Sequence, residues 1–188
     1  MVTDVRMYQG APERSRNPSF ERLAGTMAEL AHGTSRVPFE PVSRPFPAIA
    51  VGGLVVGVLD LAYAIVVYSP RQPILIPQTI ASGVLGMQSY DMGLSSAVLG
   101  VIFHFVIAFS AATMYYLASR KLTFMIHRAV LCGLIFGALV YLFMHVVVLP
   151  LSAVSHRHMP FLYQAAEFVE HWFCVGLPIA LSIRHYSR

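Results

Sequence analysis

Charge is scarce in this chain. Only 12% of its 188 residues are Asp, Glu, Lys or Arg, against roughly 25% in soluble domains, which excludes an ordinary water-solvated globule. Cysteine is nearly absent too. Cys132 and Cys174 both lie inside apolar stretches without metal-type spacing, so they read as packing residues and say nothing of redox compartment. Nothing resembling a nucleophile triad, a phosphate loop or a nucleotide fingerprint occurs, so no feature marks catalysis. No signal peptide is expected either, because the first apolar run starts at residue 47, whereas a cleavable signal places it within the first ~15–30 residues.

What the chain has in quantity is apolar surface: 56% of residues are hydrophobic and the mean hydropathy is +0.64. Four stretches, about 47–68, 94–117, 129–149 and 161–183, are each long enough to cross a ~30 Å hydrocarbon core. The expected fold is therefore all-α, a polytopic membrane protein with a four-transmembrane-helix bundle over residues 47–188. A further apolar segment, 74–87, is too short to span and contains Pro77, Gln78, Thr79 and Ser82, which predicts an interfacial or re-entrant helix.

Residues 1–46 carry five prolines and charges of both signs, as expected of a solvated cytoplasmic tail. Within it Asn17-Pro18 reads as a helix start, and Phe20, Leu23, Ala24, Met27 and Leu30 recur at helical spacing. That short amphipathic helix fits either the membrane surface or a dock on the protein body.

The net charge of +4 and pI of 9.3 do not indicate nucleic acid, because the basic residues stand at helix ends and in the tail rather than on one face. Arg6, Arg14, Arg16, Arg22, Arg36, Arg44, Arg120, Lys121, Arg128, Arg184 and Arg188 fall on one side of the membrane, and only Arg71 and Arg157 on the other. The positive-inside rule then puts both termini in the cytoplasm. The bilayer is the expected partner, and homo- or hetero-oligomerisation stays open. Gly53-Leu-Val-Val-Gly57 and Gly133-Leu-Ile-Phe-Gly137 predict close backbone approach between spans.

Ionisable groups inside a bilayer are costly, so each needs a reason. Asp60, His104, His145, Glu167, Glu170 and His171 lie within the spans, and a rise of about 1.5 Å per residue places all six in the outer half. Glu167 and His171 share a helix face at i and i+4, while regular helical spacing points Glu170 some 60° or more away. His104, His145, Glu167 and His171 together have the composition of a three-histidine, one-carboxylate site for a transition metal. Asp60 and Glu170 are proton-relay or pairing candidates. Bis-histidine haem ligation fits His104 and His171, although nothing else in the sequence marks a haem. A metal site, a proton-relay or solute pocket and a purely structural hydrogen-bond network all remain open on the sequence. His156 and His158 flank Arg157 in a short outer loop and read as solvated.

The run Gly133-Leu-Ile-Phe-Gly-Ala-Leu-Val-Tyr-Leu-Phe-Met-His145-Val-Val-Val-Leu-Pro150-Leu, with Glu167-x-x-x-His171 and a closing Ile183-Arg184, resembles the YagU-like family of bacterial inner-membrane proteins. The likeness takes in His104, the Gly53 to Gly57 stretch and Ser69-Pro70-Arg71, and covers about residues 50–186. It implies a bacterial inner-membrane location and places His104, His145, Glu167 and His171 at matching positions. It implies no activity, and Asp60 and Glu170 depart from its pattern.

Overall fold

A computed structural model describes Ser19, Arg22, Thr26 and residues 44–154 and 160–187. The chain divides into two units, Met1–Phe39 and Glu40–Arg188. In the first, Ser19, Arg22 and Thr26 are helical, and the Thr26 hydroxyl donates to the Arg22 carbonyl at 2.9 Å. The rest of the expected tail helix, including Phe20 and Leu23, and the loop residues His156, Arg157 and His158 lie outside the described residues.

The second unit has the expected all-α architecture, with no strand among the described residues. Four helices are long and apolar enough to cross a membrane: α1 (Pro45–Tyr68), α3 (Leu94–Lys121), α5 (Ala129–Leu151) and α6 (Phe161–Tyr186). The short helices α2 (Leu75–Leu85) and α4 (Phe124–His127) sit in the connections. At 11 residues, α2 is only ~16 Å long and cannot span. On α3, residues such as Val98, Ile102 and Val106 are more than half exposed, as lipid-facing side chains should be.

Local chemistry explains the breaks. Pro45 occupies the first turn of α1, where its missing N–H costs nothing. Gly86 ends α2 and Gly93 precedes α3, both with positive φ (62° and 59°), a conformation that a side chain would strain. Two hydrogen bonds pin the α2–α3 connection: Gln78 donates to the Gly93 carbonyl at 3.0 Å and the buried Ser89 hydroxyl to the Gln78 carbonyl at 2.6 Å. The Ala153 N–H donates to the Gly83 carbonyl at 2.9 Å, tying α2 to the end of α5.

Small residues set the helix contacts. On α3, the Pro77 carbonyl of α2 occupies the space that a Cβ at Gly100 would need. Between α5 and α6, Cβ atoms at Gly137 and Gly176 would run into the backbone of the opposite helix, so the Gly133–Gly137 pair brings two backbones together as expected. Gly53 and Gly57 act differently: their open faces receive the rings of Phe109 and Phe105, and the approach is ring to backbone. Packing follows the spatial order α3, α1, α6, α5, and α3 and α5 make no extended contact with each other. Alanines, Tyr115, Ile179 and Ile183 fill the core, with Cys132 against it.

Candidate functional site

All six intramembrane ionisable residues lie toward one end of the bundle, the end that carries α2. Two of the histidines stand in irregular helix. Met144–Val148 in α5 and His171–Gly176 in α6 are π-helical turns holding His145 and His171. Each turn is followed two residues later by proline, Pro150 and Pro178. Proline removes a backbone donor and crowds the carbonyl four residues before it, and a widened turn relieves both. α5 therefore continues through Pro150 to Leu151 instead of stopping before it.

The histidines each donate one ring N–H to a backbone carbonyl, since a carbonyl can only accept. His171 Nδ1 bonds Glu167 O at 2.9 Å, His145 Nδ1 bonds Tyr141 O at 3.1 Å, and His104 Nε2 bonds Gly57 O at 2.9 Å. The first two bonds fix rings on their own helices. The third ties α3 to α1. In the neutral rings, His171 Nε2, His145 Nε2 and His104 Nδ1 are left with lone pairs, the tautomeric arrangement that metal-binding histidines use.

Each histidine also has a carboxylate neighbour. Asp60 Oδ2 lies 3.8 Å from His104 Nε2, and Glu167 Oε2 lies 3.8 Å from His145 Nε2. Both distances are beyond hydrogen bonding, so each pair is an open bite rather than a closed contact. Glu170 is more deeply placed. Its side chain is 2% exposed, and Oε2 lies 2.8 Å from His171 Nδ1. Neither Glu170 oxygen meets hydrogen-bond geometry with a described donor, because the His171 N–H is directed at the Glu167 carbonyl.

One ligand atom from each of Asp60, Glu170 and His171 lies within 4.8 Å of the other two. Bond lengths of about 2.0–2.2 Å to a transition metal require neighbouring ligand atoms roughly 3–3.5 Å apart, so the trio must close to seat an ion, with His171 binding through its unprotonated nitrogen. Two buried carboxyls at this range repel unless a proton or a cation lies between them. Two carboxylates and one imidazole suit zinc, manganese or ferrous iron.

The four-residue metal set expected from the sequence does not converge as a unit. His145 and Glu167 meet, His104 turns to Gly57 and Asp60, and His171 joins Asp60 and Glu170. Glu170, which regular helical spacing sends away from the cluster, belongs to it. Glu170 is the last α-helical residue before the π turn at His171, and its side chain reaches the neighbouring His171 ring and Asp60 of α1. Pro178 is the sequence signal for that irregularity.

Asp60, His104, His145, Glu167 and His171 nevertheless line one cavity of about 280 Å³, together with apolar residues from all four spans and α2. Glu170 instead borders a shallower groove beside Tyr63 and Cys174, so the Asp60–Glu170–His171 trio stands in the wall between cavity and groove. No protein-family model, curated protein or solved structure matches the chain.

Proposed function

We propose that this membrane protein binds a divalent transition metal within its bundle, with Asp60, Glu170 and His171 as the protein ligands. One observation carries the reading: Glu170 is a buried carboxyl whose oxygens lack hydrogen-bond partners, set beside a second carboxyl and an imidazole. Such a group costs several kcal/mol unless it is compensated, and a cation supplies the compensation. Three protein ligands leave coordination positions open toward the cavity, where His145 and Glu167 stand. His104 then holds α3 to α1 rather than serving as a ligand. Basic residues at the opposite end support an orientation with both termini in the cytoplasm and the metal in the outer half of a bacterial inner membrane. Membership of the YagU-like family is part of the same proposal and rests on the sequence resemblance alone.

Elemental analysis of protein purified without chelators tests the reading. About one zinc, manganese or iron per chain is expected in the native protein, and none in an Asp60→Asn, Glu170→Gln double variant. Equal metal content in the two would sink it. A second reading, in which the cluster only fixes helix packing, is favoured by the His104 to Gly57 bond. It applies to His104, whose hydrogen bond is satisfied, and not to Glu170.

A further inference from the structure

A metal ion accounts for the trio but not for the space beside it. The cavity of about 280 Å³ approaches the ~300–1,000 Å³ of small-molecule sites and far exceeds what an ion with its waters requires. α3 and α5, the two spans without extended contact, both contribute to its lining, and we take its entrance to run between them from the bilayer. Access from the bilayer selects a lipid-soluble ligand.

The walls narrow the choice. Leu61, Ile107, Met144 and Val175 are apolar; Tyr68, Thr79 and His171 add polar atoms, and carboxylates stand at two places. Asp60 beside His104 marks the side of α1 and α3, and Glu167 beside His145 the side of α5 and α6. Each pair leaves a gap of 3.8 Å. A hydroxyl seated beside such a gap comes within about 2.8 Å of both atoms, a hydrogen-bond length. The acceptors are the Glu167 carboxylate with the His145 Nε2 lone pair, and the Asp60 carboxylate, because His104 Nε2–H is already committed to Gly57. A plain acyl chain would leave both acceptor sites desolvated and unpaired. A single ammonium group would fill one and leave the other. Two hydroxyl donors carried on one flat apolar body, one for each place, satisfy both.

We propose that this cavity binds the aromatic head of a lipid-soluble hydroquinone, with one hydroxyl donating to the His145–Glu167 pair and the other to Asp60. The site shares Asp60 with the proposed metal site but uses no bound metal, so binding by the metal-free protein tests it apart from the metal reading.

The test uses the full chain in phosphatidylcholine nanodiscs treated with a chelator, with trimethylhydroquinone as probe and protein-free discs as the blank. Saturable binding at about one per chain is expected. The dimethyl ether of the same probe keeps its shape and apolar surface but has no hydroxyl to donate, and should bind about tenfold or more weakly. Glu167→Gln and His145→Gln should each weaken the diol several-fold, and Ile107→Trp, which fills the cavity, should abolish binding. The ether comparison needs no variant, so misfolding of a mutant cannot blur the result. Absence of saturable binding, an ether as tight as the diol, or full displacement of the diol by benzylamine at equal concentration would each overturn the proposal. Metal content of the untreated protein decides the other reading independently.

Discussion

The Glu170 carboxyl oxygen lies 2.8 Å from His171 Nδ1, yet the proton on that nitrogen is directed at the Glu167 carbonyl. A buried acid thus stands against an imidazole without being bonded to it.

Glu170→Gln keeps the shape and removes the charge. With no hydrogen bond at the Glu170 oxygens to lose, and with two neighbouring buried acids reduced to one, the metal-free variant should be at least as stable as the native protein. Metal affinity should fall by about a hundredfold or more, since even an outer partner of a metal ligand is worth roughly 10–100-fold. Thermal melting with and without added zinc reads both effects: zinc should raise the native melting temperature and leave that of the variant unchanged.

The helix crossing beneath the site can be tested through glycine. A methyl group at Gly176 would meet the Gly133 carbonyl and Gly137 backbone, none of which can rotate away. Gly176→Ala should therefore cost about 1–3 kcal/mol and lower accumulation in the membrane. At Gly53 the obstacle is the Phe109 ring, a side chain that can shift, so Gly53→Ala should be the milder change. Fluorescence-detected unfolding in detergent would rank the two.

His104 offers a purely structural comparison. Removing its ring leaves the Gly57 carbonyl without this interhelical donor. His104→Ala should destabilise the protein by about 1–3 kcal/mol, visible as a lowered melting temperature. His104→Gln, with an amide that can still donate, should recover part of the loss.

The π turns make a further prediction. With Pro178 replaced by Ala, the backbone donor returns and the strain favouring the wide turn at His171–Gly176 is relieved. Pro178→Ala should keep or raise stability while lowering metal affinity, because straightening the turn that begins at His171 shifts that ring relative to Asp60 on α1. Titration of zinc by competition with a chromogenic chelator would detect the loss, and unchanged affinity would show that the proline does not set the site.

Much of this architecture was legible in the sequence. Apolar run length alone located four spans and a fifth, shorter segment, because the ~30 Å hydrocarbon core imposes one length on every crossing. The gathering of Asp60, His104, His145, Glu167 and His171 along one cavity was foreshadowed by depth along the helices, which depends on a constant rise. Angle around the helix was less legible. Glu170 stood among the pairing candidates rather than in the metal set, because matching faces within one helix does not register a partner such as Asp60 on another. Gly100 and Gly176 also went unread, since neither forms a Gly-x-x-x-Gly pair and each is explained by a partner remote in sequence, Pro77 and Gly133.

Orientation is testable without purification. Alkaline phosphatase fused after Arg184 should be inactive, and fused within the loop at Arg71 it should be active, if the basic end faces the cytoplasm. The reverse pattern would move the site to the inner half.

The central claim is that Asp60, Glu170 and His171 hold a metal together. X-ray absorption at the zinc edge of the loaded, full-length protein addresses it directly. The account predicts an oxygen and nitrogen shell at about 2.0–2.2 Å with the outer scattering of one imidazole, lost in Glu170→Gln. A shell of water oxygens without imidazole, or sulfur at about 2.3 Å, would contradict it.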